Sequence, residues 1–542
     1  MKTNHFLLLA VILLMISIIA CNTNQTPEKQ VVSKKNANII RLEGGDWGYP
    51  TPYAHYPRGP GGYKTNLIFD SLLESDEQGL IPWLAEKWET IDNGKHYLFT
   101  IRQNVTFHDG SPLTPEDVAF SLEYANQYPQ SWSYLYQSIQ SVSIQDKRNV
   151  RVTVKTPSVP MLLYIGRTRI LPKHIWKDIT QPRQFTSKLS IIGCGPYRLT
   201  DYSKSHGIYR FEAFKNYWGP KPAVQIIEFI PVSQPILAYE QGEIDMAIVP
   251  PDVLPRFQNN ARNKIVKSPA FWGIRLLFNL KSVPEFQNKT IRQAIRYALD
   301  LNALVEKTTR GAAIPGSAGI LSPDHVLYNP HVNVYKYNLN KAIVLLESAG
   351  YSSINKDGTR NDQNGKSLTF QLLCSSGARI SRSPISEIRI AEMIKEYLQK
   401  AGIHIQVKSV DQRSRDAAVK NHQYEMVLLG HGGWGADPHF LKKRFVNESG
   451  QGNSLNECRS FGYHNERLNA LLNQQAIIFD YQKRKQLVDN IQMLLSEELP
   501  EISLFNTTNY TVFRPSTYDG WCFMFDHHAL AHSKLSFLEK QL

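Results

Sequence analysis

The chain predicts an α/β protein of several domains, and three patterns carry that expectation. Leu368-Thr369-Phe370-Gln371-Leu372-Leu373 is followed by a helical stripe at Ile390, Met393, Ile394, Tyr397 and Leu398, then by alternation at Ile403, Ile405 and Val407. A strand, a crossover helix and a second strand in that order pair in parallel. Tyr97, Phe99 and Ile101 alternate with His96, Leu98, Thr100 and Arg102, and Val150, Val152 and Val154 alternate with Arg151, Thr153 and Lys155, as half-buried strands do. Ile291, Ala294, Ile295, Ala298 and Leu299 fall at helical spacing and predict one amphipathic helix from Thr290 to about Lys307.

A length of 542 residues with 42% hydrophobic and 20% charged residues belongs to an ordinary globular chain of two or three domains. The net charge is +13, but its basic residues are scattered. That distribution describes a solvated surface suited to resting near anionic lipid or cell wall, and argues against a nucleic-acid interface. No repeat of solenoid length and no low-complexity tract follows residue 38, which excludes solenoids and fibres.

In chain order, Lys2 precedes an apolar core from Phe6 to Ile19, short for a membrane span and placed where a secretory leader belongs. Ile18-Ile19-Ala20-Cys21 resembles a bacterial lipobox, which implies removal of residues 1–20 and lipidation of Cys21. Residues 22–38 are polar and lack apolar periodicity, so 21–38 reads as a lipidated cysteine on a flexible tether. Cys194, Cys374, Cys458 and Cys522 remain, widely spaced; one or two disulfides are expected outside the cytoplasm, with three complete pairings open. Structural zinc is not expected, because no close thiol pair occurs. Ser383-Pro384 predicts the N-cap and first turn of the helix that carries Ile390, and Gly402 its end.

No H-E-x-x-H or G-x-S-x-G occurs, and Gly59-Pro60-Gly61-Gly62-Tyr63-Lys64-Thr65 lacks the glycine before the lysine that lets backbone wrap phosphate. His108-Asp109-Gly110 reads as a turn. The expectation is therefore binding without catalysis and without a cofactor. Its main candidate site is the apolar strand from Tyr424 running into a glycine-rich loop, where Gly433 permits close approach, Trp434 offers a stacking face and Asp437 a charge. The guanidinium groups of Arg379, Arg382 and Arg389 suit a ligand carboxylate. His431 and His439 flank Trp434, while His527 and His528 stand near His532; these imidazoles suit nickel or copper and form the alternative, metal-binding set.

Longer runs carry a resemblance. They include Leu67-Ile68-Phe69-Asp70-Ser71-Leu72-Leu73, Gly79-Leu80-Ile81-Pro82-Trp83-Leu84-Ala85-Glu86-Lys87-Trp88, Val105-Thr106-Phe107-His108-Asp109-Gly110-Ser111-Pro112-Leu113-Thr114, Gly193-Cys194-Gly195-Pro196-Tyr197, Asn216-Tyr217-Trp218-Gly219 and Gly242-Glu243-Ile244-Asp245. In order and spacing the chain is similar to the extracellular solute-binding proteins of family 5, whose oligopeptide-, dipeptide- and nickel-binding members serve ABC importers. The resemblance implies a periplasmic-binding-protein type 2 clamshell, with lobe one at 39–75, 191–275 and 505–542, an inserted extra domain at 76–190 and lobe two at 276–504. It implies that Asp437 pairs with a peptide's α-ammonium, although Pro438 and His439 follow it directly where relatives often carry a further aromatic and a second Asp-Pro. Cys194 stands where relatives usually have a small hydroxyl residue, and Tyr56 and Arg58 lie in a loop that replaces a simpler Asp-Pro-His pattern and can line a cleft.

The implied function is a monomeric, lipid-anchored substrate-binding component of an ABC importer on the outer face of a bacterial membrane, periplasmic or extracellular. Its partners would be short peptides and the permease with its ATPase. The alternatives are a nickel or metallophore carrier and, from another class, a peptide-sensing receptor or chaperone.

Overall fold

The structure, a computed structural model, describes residues 34–56, 60–128, 130, 137–376, 385–431, 437–446, 462–525, 527 and 529–540. One sheet orders its strands Ala37–Glu43, Val224–Ile230, Ile208–Ala213, Tyr197–Ser203, and a three-stranded sheet orders Met246–Val249, Tyr510–Phe513, Lys264–Lys267. Residues between the first two of these strands build an antiparallel sheet of Ala85–Ile91, His96–Ile101, Asn149–Val154 and Ile139–Ile144. The largest sheet has six strands, edge to edge Ala313–Pro315, Glu501–Thr507, Trp272–Phe278, Met426–His431, Thr369–Ser375 and His404–Val410.

Alternation becomes burial where the sequence predicts it. Tyr97, Phe99, Val150, Val152 and Val154 are wholly buried and pack with Val118 and Leu122 of the Pro115–Gln127 helix. The Asp117 carboxylate accepts the Thr114 N–H at 2.9 Å, so an acidic residue in the first turn satisfies an amide at the helix start. In the six-stranded unit, Thr369–Ser375 and His404–Val410 pair in parallel with Phe370 opposite Ile405. Their crossover helix, Glu387–Lys400, buries Ile390, Ile394 and Leu398 on one face. Gly402 follows it at φ 85°, where an added Cβ would also meet the Arg360 side chain. The cap is Ser386, whose hydroxyl accepts the Arg389 N–H, rather than Ser383; Ser383 and Pro384 lie outside the described residues.

The single helix expected over Thr290 to Lys307 is two, Lys289–Ala298 and Leu301–Thr309. Leu299 is extended, and the Asp300 carboxylate accepts the Ala303 N–H at 3.0 Å to start the second helix. The apolar spacing runs through the break because Ile291, Ile295, Leu299, Leu301 and Leu304 enter one core from both helices. The Asp300 cap was the signal against continuity.

A buried ionic knot joins the first sheet's unit to the antiparallel unit. Lys534 Nζ lies 2.6 Å from Asp70 Oδ1 and 2.8 Å from Glu74 Oε2, all essentially buried. Tyr217 and Trp218 donate to Asp70 Oδ2 at 3.1 and 2.9 Å. Cys194, Cys374 and Cys522 have free thiols, so no disulfide forms among these three; Cys458 lies outside the described residues.

Candidate interlobe ligand site

Two short segments, 268–271 and 508–509, connect the three-stranded sheet to the six-stranded one. They are stitched together: Ser268 N donates to Asn509 O at 2.8 Å and Asn509 N donates to Ser268 Oγ at 2.8 Å. Strand register brings loops to this junction from both sides. His431, which ends the Met426–His431 strand, pairs with Gly273, and Trp272 beside it pairs with Thr507. The Met426–His431 strand, beyond which the chain continues toward Asp437, therefore ends within two residues of both crossing segments. Thr369–Ser375 runs parallel to Met426–His431 and sends its carboxyl end the same way. From the other sheet, Val249 and Lys267 both pair with Tyr510, so their strands also end at the junction. Asp252, just past Val249, forms an ion pair with Arg310, which ends the Leu301–Thr309 helix on the other side.

Asp437 is engaged by its own protein. Arg484 donates Nη1 to Oδ2 at 2.8 Å and Nη2 to Oδ1 at 2.7 Å, and the His439 N–H donates to Oδ1 at 2.8 Å at the start of the His439–Phe445 helix. Arg484 Nε also donates to the Gln475 carbonyl at 3.0 Å, tying the loop to the end of the Glu466–Gln475 helix. Burial pushes the Asp437 carboxyl up, but the Arg484 guanidinium more than offsets this and holds it below the ordinary aspartate range. Among the described residues, Oδ1 accepts two donors and Oδ2 accepts one. The carboxylate accepts an amide at the helix start and is half of a bidentate ion pair, with its charge already answered.

A family model, that of the bacterial extracellular solute-binding proteins, family 5 (middle), matches residues 79–453. The chain belongs to this family. It is 26% identical over 396 residues to the nickel-binding periplasmic protein of Escherichia coli K12, a match covering 70% of this chain and 72% of the relative. It is 25% identical over 553 residues to the oligopeptide-binding protein AppA of Bacillus subtilis, covering 96% of each. Among solved structures, NikA from Brucella suis with Fe(III)-EDTA superposes with a TM-score of 0.77 at 21% identity, over 93% of this chain and all of that one. The mixed α/β architecture is thus the two-lobe type 2 periplasmic-binding fold of family 5.

The sequence-predicted site residues fall partly inside and partly outside the described residues. Arg58, Arg379, Arg382, Gly433, Trp434 and His528 lie outside the described residues, as does Cys21. Arg389 is exposed on the Glu387–Lys400 helix. Cys194 is wholly buried in the antiparallel unit's core, where burial raises its thiol pKa, so packing rather than solvent surrounds the sulfur. Neighbouring Gly193 leaves no space for a side chain, since an added Cβ would stand 2.1 Å from the Ile68 carbonyl oxygen. Tyr56 is exposed and donates its hydroxyl to Asp46 at 3.0 Å. His431 contributes backbone to the sheet. His439 is half-buried at its helix start, while His527 is buried, with Nε2 2.7 Å from His532 Nδ1 and both rings stacked on Tyr63. Among the described residues, no group of three or more His, Cys, Asp or Glu is placed to hold a metal ion.

Local sequence pattern points to neither Arg484 nor Asp46. Arg484 lies 47 residues beyond Asp437, inside the Tyr481–Glu498 helix, where a lone arginine carries no local signal. Asp46 sits among Trp47, Tyr49 and Tyr56, and no local pattern sets its carboxylate apart.

Proposed function

We infer that this protein is the substrate-capturing lipoprotein of an ABC importer, which closes its two lobes on a short peptide and presents it to a permease driven by a cytoplasmic ATPase. The observation that carries this reading is the strand register, which sends loops from both lobes to the stitched crossing segments. A ligand between the lobes would meet both walls at once, the condition for closure to depend on it. Likeness along nearly the whole chain to an oligopeptide-binding relative favours a peptide. An extended peptide offers amides and carbonyls to loop backbone and water, giving affinity with loose side-chain preference. A micromolar dissociation constant requires about 8 kcal/mol net, within reach of such a buried main chain.

Lipidation at Cys21 would hold the monomer at the outer face of the membrane, and residues 22–38 would serve as the leash. The chemistry is reversible binding. The residues offered to the ligand are Gly433 and Trp434, the arginines Arg379 and Arg382, and the loop of Tyr56 and Arg58, while Asp437 stays with Arg484.

The test is native mass spectrometry of the protein purified without chelator. A ladder of bound masses that dissociates into peptides supports the reading and gives the length preference. One discrete mass containing nickel or another metal replaces it with a metal-chelate carrier.

A further inference from the structure

Asp46 lies three residues past the Ala37–Glu43 strand, which runs parallel to Val224–Ile230, so it stands outside the carboxyl ends of two parallel strands. Such edges are where open α/β sheets place ligands. The carboxylate is held on three sides. Tyr202 donates its hydroxyl to Oδ1 at 2.7 Å, the Gly48 N–H donates to Oδ1 at 3.0 Å, and Tyr56 donates its hydroxyl to Oδ2 at 3.0 Å. Tyr209 stands beside them with its oxygen 3.4 Å from Oδ1; it accepts the Trp47 N–H and donates to the Gly48 carbonyl, fixing the loop. Gly207 presses on the same backbone: at φ 63°, an added Cβ would lie 2.9 Å from Asp46 N.

All of these partners are neutral. Among the described residues no cation pairs with Asp46, and Oδ2 keeps an open lone pair. Burial pushes the carboxyl up, yet the hydrogen bonds from Tyr202, Gly48 and Tyr56 hold it below the ordinary aspartate range, so the charge is present at neutral pH. Tyr56 remains 43% exposed, and the Tyr49 ring meets Tyr202 edge-on at 5.4 Å, which lines the approach with aromatic surface. A fixed carboxylate among tyrosine rings suits an organic cation, which gains a charge-assisted hydrogen bond and ring contact together. Asp437 contrasts with it, because Arg484 already answers its charge.

We propose that Asp46, with Tyr56 and Tyr202, is a binding subsite for an organic ammonium or guanidinium group of the ligand, in place of Asp437. The assignment rests on the peptide reading above, in which the cation is either the amino terminus or a basic side chain.

Calorimetry on the parent, Asp46→Asn and Tyr202→Phe tests it with a neutral-side-chain peptide bearing a free amino terminus, its N-acetylated form, and an acetylated form carrying one lysine. The parent should bind one of the cationic peptides at least about tenfold tighter than the acetylated neutral one. Asp46→Asn should abolish the difference and Tyr202→Phe should reduce it, with unfolding midpoints close to the parent's. Which cationic peptide is preferred identifies the source of the cation. A preference that survives intact in Asp46→Asn overturns the subsite while leaving peptide binding standing. If the parent binds no peptide, the peptide reading falls. Lysine amide then decides the subsite: Asp46-dependent binding retains it, and no binding overturns it.

Discussion

The amide of Val159 donates to the carbonyl of Ala476 at 2.7 Å, joining the antiparallel sheet's unit directly to the six-stranded lobe. Phe479, three residues further on, lays its ring over Gly94 in the hairpin turn between Ala85–Ile91 and His96–Ile101. Ala476 follows Gln475, which Arg484 ties to Asp437. The contact between the two units and the loop at the interlobe junction thus share one short stretch of chain.

Phe479→Ala should loosen this contact without unfolding either unit. Removing a half-buried ring costs about 1 kcal/mol of the closed arrangement, or roughly fivefold in ligand affinity. Small-angle scattering of the ligand-saturated variant should give a larger radius of gyration than the parent's. Equal radii and equal affinities would dismiss a role in closure.

Arg484→Met leaves the Asp437 carboxylate largely buried without its cation, and should cost about 3 kcal/mol of stability in urea unfolding. Because the folded carboxyl is held below its unfolded value, its contribution is complete above about pH 4 and is lost as pH falls through the folded value. The parent should therefore lose stability on acidification below pH 4 faster than Arg484→Met. Parallel pH profiles would place the stabilising partner elsewhere.

His108 should make stability pH-dependent in a different window. Its Nε2 lies 2.9 Å from the Gly195 carbonyl and its Nδ1 accepts the Gly193 N–H, an arrangement that suits the neutral ring. Burial lowers its pKa from 6.5 to about 4. The unfolded chain binds the proton between those values, so this stabilising contribution is complete above 6.5 and shrinks as pH falls toward 4. The span is on the order of 3 kcal/mol. His108→Gln should flatten the stability profile in that window, and an unchanged slope would sink the assignment.

Lys534→Met removes the one cation within hydrogen-bonding reach of both Asp70 and Glu74 in the described knot. Burial raises the Glu74 pKa, and Lys534 with Arg169 and Arg167 overcomes this to hold it at about 2. The variant should lose about 3–5 kcal/mol, measured by denaturant unfolding, since two buried carboxylates lose their partner. A loss below about 1 kcal/mol would mean that Arg169 compensates.

The α/β class, the parallel strand-helix-strand unit from Thr369 to Val410, the Gly402 stop and the family are legible in the residues alone. Each of these is written in contiguous residues, because side-chain period and turn chemistry are local properties. What the charged groups do becomes visible only in the folded chain. Asp437 reads locally as an open charge after a glycine-rich loop, yet an arginine from a distant helix neutralises it; Asp46 reads as one polar residue among aromatics, yet two tyrosine hydroxyls hold it, with no cation beside it among the described residues. Electrostatic pairing depends on distance in space, and residues 47 or 156 positions apart meet only once the chain has folded.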